Sequence, residues 1–110
     1  TSGKQKRDFI YVSDVVSAFL AVLDKNETLS KFSELEVGTG QAISVREFVE
    51  RLLCFYQKYD SKSQTKLLFG AIPYRKGEAM SVYVDIENLK KIGWQPRISL
   101  DDGLSRIIRE

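Results

Sequence analysis

Histidine is absent from the 110 residues of this chain, and cysteine occurs once, as Cys54. No intrachain disulfide can form, and no zinc site of the usual His and Cys ligands can be assembled. The commonest general base is missing as well, and no serine sits in a nucleophile elbow. Long apolar runs are lacking: none approaches the roughly 20 residues that a membrane-spanning helix requires. The polar opening, Thr1 to Arg7, does not resemble a signal peptide. A membrane partner is therefore not expected, and reducing cytosol is the expected compartment. An excess of one charge is missing too, since 17 Lys and Arg face 15 Asp and Glu for a net charge of +2. Nucleic-acid binding usually demands a basic stripe. Lys4, Lys6 and Arg7 make only a small cluster, so no nucleic-acid partner is expected; such binding would weaken steeply with salt.

What is present is the balance of a soluble globular protein, 43% hydrophobic and 29% charged. That is enough apolar surface to offset ordering entropy. The length fits one small domain, whose core buries only about two-thirds of the unfolded surface. There is no internal repeat and no low-complexity segment.

Along the chain, Asp8 to Val12 carries Phe9, Ile10, Tyr11 and Val12, a β-branched and aromatic run suited to a buried strand. Ser13 and Asp14 are good helix caps. Beyond them Val15, Val16, Phe19, Leu20 and Leu23 recur at helical spacing to about Lys25, and Asn26 to Ser30 reads as a loop. Phe32 to Val37 is a second strand candidate, ended by Gly38-Thr39-Gly40. Ser44 and Glu47 form a capping box for a helix with Val45, Phe48, Val49, Leu52, Leu53 and Tyr56 on one face. Tyr59 to Gln64 reads as a loop, Lys66 to Phe69 as a short strand, and Ser81 to Val84 as extended. Asp85 caps a short helix with Ile86, Leu89 and Ile92 inward, closed by Gly93. Ser99 caps a last helix striped by Leu100, Leu104, Ile107 and Ile108. The expected fold class is mixed α/β: three to four helices with short strands that complete or flank a larger sheet.

Few motifs carry chemistry. Gly38-Thr39-Gly40 stands between a strand and a helix, but a dinucleotide fingerprint needs a third small residue where Ile43 stands. A tight turn is the simpler reading. None of Tyr11, Tyr56, Tyr59, Tyr74 and Tyr83 has a lysine four residues on, so a Tyr–Lys reductase pair is missing. Asp101-Asp102 falls in a first helical turn, where negative charge complements the helix dipole. Two arginines stand out: Arg7, beside the apolar run, and Arg75, in the irregular Pro73-Tyr74-Arg75-Lys76-Gly77-Glu78 segment. An arginine fork makes parallel hydrogen bonds to phosphate oxygens and stays charged at neutral pH. Two such forks converging would suit a diphosphate; otherwise both are solvated or paired with Asp8 and Glu78.

Together these segments resemble the carboxy-terminal third of the extended short-chain dehydrogenases, the NAD-dependent epimerases and dehydratases of nucleotide sugars. The landmarks run from Gly3 to Ile108. Arg7-Asp8-Phe9-Ile10-Tyr11-Val12-Ser13-Asp14 is similar to the family's Arg-Asp-aromatic strand and helix start, and Val37-Gly38-Thr39-Gly40 with Ser44 and Glu47 to its turn and capped helix. Arg75-Lys76-Gly77-Glu78 is similar to its Arg-x-Gly-acid element, and Ile92-Gly93-Trp94-Gln95-Pro96 with Ser99 to Leu104 to its closing segment. Glu36 departs from the usual Asn. The resemblance implies a substrate-binding lobe of an extended Rossmann-type enzyme occupying residues 1–110. Arg7 and Arg75 would contact the diphosphate of a nucleotide-diphosphate sugar, and Glu78 the ribose hydroxyls. It also implies that NAD or NADP and the catalytic Tyr-x-x-x-Lys belong to an amino-terminal Rossmann domain upstream. This chain would then bind no cofactor, contribute no catalytic residue and be inactive alone. The whole enzyme would be a homodimer, and the isolated piece, having lost a neighbour, would self-associate or bind substrate feebly. The Tyr74 to Met80 stretch leans towards deoxy-sugar synthesis for surface polysaccharide. The competing expectation is a non-catalytic interaction or regulatory module that keeps the same scaffold.

Overall fold

A computed structural model describes residues 1–28 and 33–109 of the chain. Its elements are β1 (Lys6–Arg7), α1 (Val12–Asp24), a 3-10 turn (Asn26–Thr28), β2 (Ile43–Ser44), α2 (Val45–Tyr59), α3 (Glu87–Lys91) and α4 (Leu100–Arg109). The mixed α/β class is as expected, with four helices and minimal strands.

The strands are not where the apolar runs suggested. β1 pairs antiparallel with β2, Lys6 opposite Ser44 and Arg7 opposite Ile43. On its other side Lys6 forms a parallel bridge with Ser81, through Lys6 N–H to the Met80 carbonyl (2.7 Å) and Val82 N–H to the Lys6 carbonyl (3.1 Å). The amino-terminal segment therefore runs between two others. Residues 8–10 are irregular and Val12 already belongs to α1, because a strand needs neighbouring backbone and the pairing with β2 ends at Arg7. Residues 33–37 and 66–68 are likewise irregular, as are 82–84 beyond the Ser81 bridge. Phe32, and Leu29 and Ser30 of the expected loop, lie outside the described residues.

Helix starts were more legible. The first three N–H groups of α2, which have no partner within a helix, all find acceptors. Val45 donates to the Gln5 carbonyl (2.9 Å), Arg46 to the Gly3 carbonyl (2.7 Å) and Glu47 to Ser44 Oγ (3.1 Å). The Glu47 carboxylate turns forward to Arg51 at 2.9 Å. At α3 the cap position is Ile86, not the expected Asp85, which stands one residue earlier and accepts from Glu87 N–H (3.0 Å). The helix ends in a Schellman arrangement: Gly93 N–H reaches the Lys90 carbonyl and Trp94 N–H the Leu89 carbonyl. Gly93 adopts φ +91° there, a conformation that costs other residues a Cβ clash. Ser99 caps α4 by accepting from Asp102 N–H (3.1 Å).

α1 departs from expectation at its start and along its surface. Tyr11, not Ser13 or Asp14, occupies the cap position, with no side-chain cap bond. Asp14 is instead buried, and its carboxylate accepts from the backbone N–H groups of Arg97 and Ile98 at 3.0–3.1 Å. Trp94 Nε1 donates to Ser17 Oγ (2.8 Å) on the same side of the helix. The main core joins Ala18, Ile86, Leu89 and Trp94, with Ile10, Ala21, Val22 and Val84 packed around it. Burying a leucine such as Leu89 contributes about 2–3 kcal/mol. A smaller cluster lies between α2 and α4, where Leu104 is buried and Phe9 stacks on Phe48 at 4.0 Å. Of the residues expected to form the core stripe of α1, only Val15 is half-buried; Val16, Phe19, Leu20 and Leu23 are 52–71% exposed, as is Val12, expected in a strand.

The result is a slab. Its extents are 52 × 35 × 16 Å and its radius of gyration is 17.0 Å, against about 13 Å for a compact domain of this length.

Candidate functional site

The expected site residues meet on the edge where β1 receives the segment 74–82. That segment is tied down along its length. The Tyr74 hydroxyl bonds Ser2 Oγ and accepts from Lys4 N–H at 3.0 Å, and the Met80 and Val82 bonds to Lys6 follow. Between these ties residues 75–78 make a turn: Glu78 N–H donates to the Arg75 carbonyl (3.0 Å), and Gly77 has φ +78°.

Glu78 is the hub. Its Oε2 accepts from Arg75 N–H (3.2 Å), and its Oε1 accepts from Gln5 Nε2 (3.3 Å) and lies 3.7 Å from the Arg7 guanidinium. The Arg7 and Glu78 side chains are only 28% and 20% exposed, so solvent screens this pair less than an ordinary surface ion pair. Arg7 is further oriented by donating to the Lys6 carbonyl (2.8 Å). The Arg75 side chain is exposed and enters no ion pair among the described residues. The structure thus brings Arg7 and Glu78 into contact and anchors Arg75 to the same carboxylate by its backbone, leaving the second guanidinium in solvent. Gln5 is a member of the group that the sequence did not single out. Its only signal was a place two residues before Arg7 in a polar stretch.

Asp8 does not pair with Arg7. Its carboxylate is wrapped by the Gly38-Thr39-Gly40 turn, accepting from Thr39 N–H (2.9 Å), Thr39 Oγ1 (2.7 Å) and Gly40 N–H (2.8 Å). A Cβ on Gly38 would lie 2.7 Å from Asp8 Oδ2, which is why glycine stands there. The N–H groups that would cradle a phosphate in a glycine-rich loop are occupied by an internal anion, in keeping with a tight turn. Among the described residues no group of His, Cys, Asp or Glu could hold a metal ion, and no helix is long and apolar enough to cross a membrane.

Two cavities lie elsewhere. One, of about 310 Å³, is apolar and bounded by Phe9, Tyr11, Val12, Phe48, Leu104 and Ile107 among others. The second, of about 490 Å³, has Thr39, Arg51, Arg97 and Asp101 on its walls. Neither is lined by Arg7, Arg75 or Glu78. The grouping around Glu78 lies on an open edge, outside both cavities.

The capped helices and the Arg-Asp and Arg-x-Gly-Glu elements fit a piece of the extended short-chain dehydrogenase family of NAD-dependent epimerases and dehydratases. Residues 1–107 match the family model for GDP-mannose 4,6 dehydratase, and the chain belongs to that family. It is 34% identical over 110 residues to a CDP-abequose synthase of Salmonella typhimurium, a match covering 99% of this chain and 36% of the relative. The fold is similar to UDP-glucose 4-epimerase of Thermotoga maritima with UDP-glucose (TM-score 0.73, 26% identity, 99% of this chain and 32% of that one). It is equally similar to RMD from Pseudomonas aeruginosa complexed with NADPH (TM-score 0.73, 25% identity, 97% and 33%). The chain spans about a third of the length of these proteins.

Proposed function

We propose that this chain is the substrate-binding lobe of an NAD(P)-dependent nucleotide-sugar epimerase, dehydratase or reductase. Arg7 and Arg75 hold the diphosphate and Glu78 accepts the ribose hydroxyls. The observation that supports this best is the joining of Arg7, Glu78 and the 75–78 turn into one group across 71 positions of sequence. An ion pair serving only stability would contribute little. Among the described residues Arg7 keeps unused N–H donors and the Arg75 fork has no partner, the complement a dianionic diphosphate requires. The relative that makes a CDP-sugar and the neighbour holding UDP-glucose point to the same ligand class, and the former favours the deoxy-sugar branch.

Nicotinamide binding and the catalytic Tyr and Lys are assigned to the other two-thirds of the protein, upstream, so this chain neither binds the cofactor nor turns over alone. The exposed apolar side of α1 supports a large neighbour: five apolar side chains in water represent burial not yet gained. In the full-length protein, Arg75→Ala should weaken UDP or CDP by about tenfold or more while changing uridine or cytidine affinity little, as expected for one lost charge-assisted contact to phosphate. Titration calorimetry with nucleoside and nucleoside diphosphate reads this directly. Equal affinities of variant and wild type for the diphosphates would refute the assignment, and favour the non-catalytic module.

A further inference from the structure

We infer that Gln5 is a positioning residue for substrate: it fixes the Glu78 carboxylate so that its free lone pairs face the ribose, making the site selective for ribonucleotides. This rests on the site reading above. Gln5 is 6% exposed. Its Nε2 donates to Glu78 Oε1 at 3.3 Å, while its own Oε1 is buried without a partner among the described residues. The amide cannot be reversed, because a carbonyl oxygen would then face a carboxylate oxygen with no proton between them. A buried acceptor without a donor carries a desolvation penalty, and methionine, of similar length and shape, would fill the space without it. Packing therefore does not explain a glutamine here. What only the amide supplies is the bond to Glu78.

That bond completes a specific geometry. A carboxylate offers about four acceptor directions. In Glu78 one goes to the Gln5 amide and one to Arg75 N–H, while the Arg7 guanidinium at 3.7 Å stands beyond hydrogen-bond length. Two directions remain, the number a pair of vicinal hydroxyls takes up. Gln5 is itself held by its backbone, whose carbonyl accepts from Val45 N–H at the start of α2 (2.9 Å). The carboxylate is thereby referenced to α2, the longest helix among the described residues.

The test compares the tightest-binding of CDP, UDP and GDP with its 2′,3′-dideoxy counterpart by calorimetry on the full-length protein. Wild type should prefer the ribonucleotide by about tenfold. Gln5→Met should bring that preference to roughly twofold or less, with a melting temperature equal to or above wild type because the orphaned oxygen is gone. Adding Gln5→Met to Glu78→Ala should change the preference no further; an additional loss there would identify a packing role and overturn the inference, even for a variant that melts lower. Wild-type preference retained by Gln5→Met overturns the role of Gln5 alone. A wild type indifferent to the ribose hydroxyls overturns the Glu78 assignment and this inference with it, and one that binds no nucleoside diphosphate overturns the whole site reading.

Discussion

The two long sides of α1 reverse the usual arrangement of a surface helix. Small and polar residues face the core: Asp14 on the backbone of residues 97–98, Ser17 on the Trp94 indole, and Ala18 against Leu89 and Ile86. The large apolar residues Val16, Phe19, Leu20 and Leu23 face out. Directional bonds on the inner side fix where the helix lies, since two backbone N–H groups and one indole N–H accept no substitute geometry. The outer side, which is non-directional, fixes only that something apolar must lie against it. Within its own family a helix can thus be specified twice, once for each neighbour.

Breaking the inner side should have the largest effect. Asp14→Ala strands the Arg97 and Ile98 N–H groups and should cost about 3 kcal/mol in urea unfolding; a loss below 1 kcal/mol would mean that water replaces the carboxylate readily. Ser17→Ala removes the partner of a buried indole and should cost about 1–2 kcal/mol, with Trp94 fluorescence as a local reporter of the same transition. The outer side should respond least. Phe19→Ser with Leu23→Ser should leave stability within about 0.5 kcal/mol and yet reduce self-association of the 110-residue chain in sedimentation velocity. Should the unmodified chain sediment as a monodisperse monomer when concentrated, the two sides of α1 would differ in composition alone.

Local chemistry was legible in the sequence. Ser44, Ser99 and Gly93 mark helix ends through bonds spanning three or four residues, and Ile86 and Leu89 point inward as their spacing predicts. The strands were not, because two-residue pairings such as Lys6–Arg7 with Ile43–Ser44 have no period to read. Asp14 looked like a cap and instead bonds 83 and 84 positions away. A carboxylate suits both roles equally, and only the fold chooses. The same holds at the site. Arg7 and Arg75 stood out as arginines, and their roles and that of Glu78 came by resemblance, whereas Gln5 is tied to Val45 and Glu78 only in the fold.

The central position of β1 has a consequence for biosynthesis. The second neighbour of Lys6 is Ser81, and translation proceeds at about 5–20 residues per second. The nascent chain therefore carries the Gln5–Arg7 stretch unzipped along one border for roughly four to fifteen seconds at that pace, an invitation to wrong partners until Met80 and Val82 emerge. Slowed elongation before position 80 would lengthen the exposure of that border, while the bonds from residues 97–98 to Asp14 would close later still.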